Sequence, residues 1–304
     1  MIIGHKKQQQ FFNKMIVSGK ISHALLLSGP EKLGKKTLAF NLIFSIFGEN
    51  FSQHPDFIFI EPKNKYPKGK KSSVGNNATS HSSLAKEQIP IEQIRNLQWR
   101  LSLKPIKAPL LGVIIDQAHL MNKQAQNCFL KTLEEPKTKA FLILITEHPN
   151  FLLPTIISRC ERVKFYPVKK DEIKNYLERK GVSKDKIEEI VEISLGRPGV
   201  AIDLFQNPHK LEERKKKIKE LIKILNSPLS FRFQYAKELS GLTNKKEILG
   251  IWMSYFRKLL ISNENQISRI KTINILNLIQ QTIFRISTTN VNPRLALEVL
   301  MLEF

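Results

Sequence analysis

Four short apolar runs mark the first half of the chain, and each has the length of a β-strand. They are HALLLSG (residues 23–29), DFIFIE (56–61), GVIID (112–116) and AFLILIT (140–146). All four are apolar on both faces, which is typical of strands buried inside a parallel sheet. Apolar residues at helical spacing lie between them, and VKFYP (163–167) predicts a final strand. Strands that alternate with helices predict a three-layer α/β domain with a parallel sheet.

The pattern changes after Pro167, where the strand signal ends. Three short helical segments occupy residues 168–207, and longer helical patterns follow, with breaks near Pro228, Gly241, Asn263 and Pro293. Proline, glycine and asparagine are common where helices begin and end. We therefore predict three parts: an α/β core (1–167), a small helical domain (168–207) and an all-α C-terminal domain (208–304).

Charge and composition narrow the classes of molecule that the protein is expected to bind. Lys and Arg number 49 against 27 Asp and Glu, a formal net charge of +22. Such an excess favours polyanionic partners, chiefly nucleic acid, although a solvated lysine-rich surface explains it equally well. Residues 62–88 are rich in Lys, Ser, Asn and Gly. They predict a surface loop, which either contacts DNA phosphates or acts only as a tether.

Other compositional signals exclude several classes of protein. Neither of the two cysteines, Cys128 and Cys160, belongs to a C-x-x-C pair. Cysteine-based zinc sites are therefore excluded, and a disulfide framework is not expected. The N-terminal residues lack the apolar run of a signal peptide, and no window reaches 18 uncharged apolar residues. We expect a cytoplasmic protein without a membrane span.

The segment GPEKLGKKT (residues 29–37) resembles the phosphate-binding motif G-x-x-x-x-G-K-[ST]. Gly29, Gly34 and Lys35 fit the motif, but Lys36 stands where a hydroxyl residue would bind magnesium, and Thr37 comes one position late. A predicted strand precedes the segment and a predicted helix follows it. That order places backbone N–H groups and a helix N-terminus around an anion, so we predict a phosphate-binding loop.

The strand GVIID ends at Asp116, the residue type that holds magnesium beside such a loop. Many ATPases place a glutamate next, which deprotonates the attacking water, but here the residue is Gln117. An amide orients water without accepting its proton, and the loss of a general base costs about 10²–10⁴ in rate. Lys36 and Gln117 together indicate a fold whose hydrolytic chemistry has been relaxed.

Arg159 is the third candidate site residue, within Ser158-Arg159-Cys160 just before the last predicted strand. An arginine at a domain edge can enter a neighbouring subunit's site and stabilise the transferring phosphoryl group. It can equally pair with a carboxylate such as Glu161. The spacing alone leaves both possibilities open.

Taken together, these segments resemble the clamp-loader subunits of bacterial DNA polymerase III, within the AAA+ superfamily. The resemblance covers nearly the whole chain and is densest in GVIIDQAHLMNKQAQNCFLKTLEEP and FLILITEHPNFLLPTIISRC. It implies an α/β AAA+ core, a helical lid, a helical collar and a pentameric ring. By the same resemblance Arg159 is an arginine finger, Thr146 is the sensor, and Gly199 replaces the lid arginine, although Arg197 lies close by. Many relatives carry a four-cysteine zinc module that FGENFSQHPD lacks, so no zinc is expected.

The resemblance also implies a function. We expect an assembly subunit that helps place the sliding clamp on primer–template DNA, beside gamma/tau-type and delta-type subunits, with no membrane partner. ATP or ADP with magnesium would be bound but not hydrolysed, by Gly29, Gly34, Lys35, Lys36, Thr37, Asp116 and Thr146. An ATP-hydrolysing motor subunit is one alternative, and a stand-alone basic DNA-binding protein is the other.

Overall fold

A five-stranded parallel sheet forms the centre of the first half of the molecule. Its strand order is β2-β3-β4-β1-β5, and every neighbouring pair runs parallel. The strands are β1 (Ala24–Ser28), β2 (Phe57–Ile60), β3 (Leu111–Ile115), β4 (Ala140–Thr146) and β5 (Glu161–Lys164). All four apolar runs are therefore strands of one parallel sheet, as predicted. The last strand begins two residues before the predicted run and ends at Lys164. It ends there because the Tyr166 side chain is exposed to solvent and Pro167 has no N–H to donate to β1.

The computed structural model describes residues 2–19, 21–48, 51–62, 88–135, 138–262, 268–289 and 291–304. The loop predicted for 62–88 lies outside these ranges, apart from its two end residues. The described chain divides into two compact units, Met1–Glu172 and Ile173–Phe304. None of the helices in the described ranges combines the length and the apolar content needed to cross a membrane.

Helices cover both faces of the sheet in the first unit, as the three-layer prediction requires. They are α1 (Lys6–Val17), α2 (Lys35–Phe47), α3 (Ile91–Leu101), α4 (Lys123–Glu134) and the short α5 (Pro154–Ser158). On one face Leu26 and Val113 pack with Phe129 of α4, and on the other Leu25 packs with Phe12 of α1. Alternate strand residues point to opposite faces, so a strand between two helical layers must be apolar throughout.

The second unit is all-helical over its described residues. Its helices are α6 (Lys170–Arg179, which begins at the end of the first unit), α7 (Lys184–Ser194), α8 (Pro198–Gln206), α9 (Pro208–Leu225), α10 (Leu229–Gly241), α11 (Lys245–Ser262), α12 (Arg269–Thr288) and α13 (Pro293–Leu302). The fully buried Trp252 of α11 packs with Leu221, Ile275 and Leu297 in one core. The predicted boundary near residue 207 lies inside this unit, between α8 and α9.

Candidate functional site

The phosphate loop (residues 29–37) connects β1 to α2, as the motif predicted. Gly29 has φ +145°, its N–H donates to the Thr146 carbonyl at 3.2 Å, and a Cβ added there would lie 2.4 Å from the Phe165 carbonyl oxygen. Gly34 precedes α2 with φ +91°. Only glycine adopts these conformations without strain, and at Gly29 only glycine fits. Both motif glycines are therefore needed by the local backbone.

The first turn of α2 offers unpaired backbone donors. The first recorded helical bond runs from the Leu38 N–H to the Gly34 carbonyl at 2.9 Å. The N–H groups of Lys35, Lys36 and Thr37 precede that bond, so they have no partner within the helix. Together with the helix dipole they favour an anion at this end. The backbone of the loop thus fits a phosphate group.

Lys35 is buried in the loop rather than extended from it. Only 6% of the residue is exposed, and its Nζ donates to the carbonyls of Gly29 and Pro30 at 2.6 and 2.5 Å. Burial lowers the pKa of the Lys35 ammonium, while Glu147 and Glu31 act against that shift. The ammonium that would meet a phosphate is therefore satisfied by the loop's own carbonyls.

Lys36 lies against Asp116, at the end of β3. Its Nζ is 2.9 Å from Asp116 Oδ2, while Asp116 Oδ1 accepts the Gln117 N–H at 3.0 Å. Both carboxylate oxygens of the predicted magnesium ligand are thus engaged by the protein itself. Magnesium demands near-octahedral oxygen ligands at about 2.0–2.1 Å, and Lys36 supplies a cationic nitrogen where the motif has a hydroxyl. The residues present fit phosphate but do not fit the magnesium expected beside it.

Thr37 is exposed in the first turn of α2, and Thr146, the predicted sensor, is buried at the end of β4. Thr146 Oγ1 accepts the His148 N–H at 3.1 Å and lies 3.2 Å from His119 Nδ1. Burial first, and then the positive charges of His148 and Lys35, lower the pKa of His119 to about 3. His119 is therefore a neutral imidazole against the Thr146 hydroxyl at physiological pH.

An acidic pair next to the loop escaped the sequence analysis. Glu31 lies inside the motif and Glu147 directly follows β4, and the two carboxyl groups share a hydrogen bond. Burial, followed by the charge of Glu31, raises the pKa of Glu147 to about 8. A carboxyl with that pKa is mostly protonated at neutral pH, so one proton stays between the two residues. The signal that the sequence offered was position, since Glu147 directly follows Thr146, the predicted sensor.

Arg159 lies at the C-terminal end of α5 and contacts α4. Its Nη2 is 2.7 Å from Glu134 Oε1, and Nη1 donates to the Thr155 carbonyl at 3.1 Å. The carboxylate partner is thus Glu134 rather than Glu161, the example considered from the sequence. The Arg159 side chain remains 38% exposed.

The helical residues considered for the lid lie in the second unit. Gly199 falls in the first turn of α8, and Arg197 precedes that helix. The Arg197 Nη2 donates to Ser254 Oγ of α11 at 2.5 Å. This guanidinium therefore connects two helices of its own unit.

Comparison with known proteins places this geometry in a family. The family model described as "DNA polymerase III, delta subunit" matches residues 4–169. The delta' subunit of DNA polymerase III from Bacillus subtilis (strain 168) is 28% identical over 245 residues, which are 80% of this chain and 68% of the relative. The tau subunit from the same organism is 30% identical over 166 residues, covering 54% of this chain but only 28% of its own length.

A solved structure supports the fold. The DNA polymerase III gamma subunit-related protein from Thermotoga maritima superposes with a TM-score of 0.50 at 20% identity, over 96% of this chain and 97% of that one. At this identity the likeness concerns the fold alone. The family model, in contrast, matches more than half of the chain. The chain therefore belongs to the DNA polymerase III delta-subunit family, a clamp-loader family of the AAA+ superfamily.

Proposed function

We propose that this chain acts as a delta'-type clamp-loader subunit that does not hydrolyse ATP itself. It assembles with gamma/tau-type and delta-type subunits and helps load the sliding clamp on primer–template DNA during replication. The observation that carries the proposal is the ion pair between Lys36 and Asp116, because it engages the carboxylate on which hydrolysis depends. Relatives named delta', gamma and tau all resemble the chain, so the choice between a delta'-type subunit and an ATP-hydrolysing gamma/tau-type subunit rests on the site.

Three features of the site argue against hydrolysis. Both carboxylate oxygens of Asp116 already have a partner within the protein, as described above. Gln117 has φ +49° and stands where a general base would be needed. His119 is neutral, but its Nδ1 is directed at Thr146. Loss of metal assistance and of a general base together removes two contributions on which phosphoryl transfer to water depends.

Arg159 is the residue that we propose acts in the chemistry, in the ATP site of a neighbouring subunit. It lies at the end of a short helix, and its side chain is partly exposed while Glu134 and the Thr155 carbonyl hold its guanidinium. A guanidinium carries five N–H donors in a planar fork, so one that exchanges these contacts at a subunit interface can form a bidentate contact with a phosphoryl group. Such a finger contributes about 10³–10⁵ in rate to the site that it serves.

Assembly is proposed to involve the C-terminal helices, within a division into core (1–167), lid (168–207) and collar (208–304). Leu295, Val299 and Leu302 of α13 recur at positions i, i+4 and i+7 and are 58%, 49% and 58% exposed. These three residues form one apolar stripe along the helix. Exposed apolar surface of this kind is typical of protein–protein contacts. We also propose that the chain carries no zinc.

Reconstitution tests the proposal. The chain is combined with candidate ATPase subunits, clamp and primed DNA, and wild type is compared with Arg159→Ala and with Arg162→Ala, an exposed arginine three residues away, as the control. We expect intact assembly in all three and strongly reduced clamp- and DNA-stimulated ATP turnover with Arg159→Ala only. Unchanged ATP turnover with Arg159→Ala would show that Arg159 does not act as an arginine finger. Sustained magnesium-dependent hydrolysis by the isolated chain would instead identify a motor subunit.

A further inference from the structure

We propose that the Lys36 ammonium takes the place of the divalent cation at Asp116, so that no metal ion binds there. This inference deepens the proposed function, on which it rests, because it concerns the phosphate loop of the same subunit. It goes beyond the absence of a hydroxyl residue at position 36, since it assigns a function to the Lys36 side chain. The lysine supplies, as part of the chain, the charge that magnesium supplies in other phosphate loops.

The first step is the position of the ammonium. Lys36 occupies the motif position whose hydroxyl would bind the metal, and Asp116 is the second expected ligand. Their side chains meet at 2.9 Å, so the cationic nitrogen lies beside the oxygen that would otherwise hold magnesium. The two positions expected to share one metal ion thus hold side chains that bind each other, and the positive charge is the Lys36 ammonium itself.

The second step is how firmly the ammonium is held. Its Nζ lies 4.7 Å from the ring centre of Phe59 on β2 and 6.0 Å from that of Phe40, one turn further along α2. Aromatic faces within about 6 Å attract a cation. Three elements therefore fix the ammonium: α2, β2 and the end of β3.

The third step is the state of Asp116. Its side chain is only 13% exposed, and the Gln117 N–H uses Oδ1. A divalent ion that bound this carboxylate would have to displace Lys36 or lie at close range to its ammonium. Repulsion between like charges in a partly buried site opposes this exchange. The Lys36 side chain nevertheless stays 46% exposed, which leaves the ammonium accessible to an anion from solvent.

Site-directed cleavage by iron tests the inference on the full-length chain. Fe²⁺ with ATP, ascorbate and peroxide cuts a backbone close to a bound metal ion, and mass spectrometry locates the cuts. The compared proteins are wild type, Lys36→Thr, which restores the hydroxyl of the motif, Lys36→Arg, which keeps a cation, and Lys36→Thr combined with Asp116→Asn. Since Lys36 is half exposed, its substitutions should be tolerated, and a thermal midpoint measured in EDTA verifies that every variant, including the one that changes Asp116, is folded.

We expect cuts near Asp116 in Lys36→Thr and none in wild type, Lys36→Arg or the double variant. Magnesium should raise the thermal midpoint of Lys36→Thr and leave that of wild type unchanged. Cleavage of wild type at Asp116 would overturn the inference, and so would a Lys36→Thr chain that gains neither cleavage nor a magnesium response. None of these readouts involves Arg159, so this inference and the proposed function can fail separately.

Discussion

The shared proton of Glu147 yields a pH dependence with a defined sign. Burial and the neighbouring Glu31 raise the pKa of Glu147 from 4.5 to about 8. Between these two pH values the folded chain keeps a proton that the unfolded chain has lost. Folding stability must therefore fall as pH rises from about 4.5 to about 8, because the folded state binds more protons throughout that window. Glu147→Gln mimics the protonated carboxyl and should remove this loss.

The magnitude follows from the same shift. One pKa unit corresponds to about 1.4 kcal/mol, so a rise from 4.5 to about 8 sets an upper limit of about 5 kcal/mol above pH 8. Glu31 is exposed and can turn away when Glu147 ionises, which reduces the repulsion. We therefore expect Glu147→Gln to stabilise the first unit by about 2–3 kcal/mol at pH 8, and by progressively less toward pH 4.5.

Amide hydrogen exchange provides the measurement, because it reports on each unit separately. Peptides that cover β1 and β4 are compared between wild type and Glu147→Gln at each pH, so the intrinsic exchange rates cancel. The matched control is Glu161→Gln, an exposed carboxyl at the start of β5. Greater protection of Glu147→Gln at pH 8 is the expected result. Equal protection of the two proteins at pH 8, or lower protection of the variant, would refute the assigned protonation state.

Two further predictions concern the buried carboxylate of Asp56 and the apolar stripe of α13. The Asp56 carboxylate accepts the N–H groups of Ile106, Lys107 and Ala108 at 2.8, 2.8 and 2.9 Å. Asp56→Asn turns an amide nitrogen toward at least one of these donors and should lower the free energy of unfolding by about 3 kcal/mol. Glu61→Gln, at an exposed carboxylate, is the control. A thermal midpoint equal to that of wild type would contradict this. Replacing Leu295 and Val299 by serine should weaken association with partner subunits while leaving the stability of the isolated chain within about 0.5 kcal/mol. Unchanged association in analytical ultracentrifugation would exclude the stripe from the interface.

The sequence predicted the elements of the fold because those elements are local. Apolar residues on both faces marked the strands, and proline and glycine marked the ends of the helices from Pro208 onward. The phosphate loop was equally readable, since two glycines, a strand before them and a helix after them are adjacent in the chain. The missing hydroxyl at Lys36 and the missing base at Gln117 also needed no structure, because a motif states which residue type belongs at each position.

The pairings within the site were decided only by the tertiary structure. Lys36 and Asp116 are far apart in the sequence of the core, and so are Glu31 and Glu147. Arg159 forms its ion pair with Glu134 on α4, although Glu161 is closer in sequence. The strand order β2-β3-β4-β1-β5 brings the ends of β1, β3 and β4 together, and no periodicity within a segment encodes which segments become neighbours. The sequence alone thus determined that a lysine replaces the hydroxyl residue of the motif, whereas the packing of the sheet determined that this lysine pairs with Asp116.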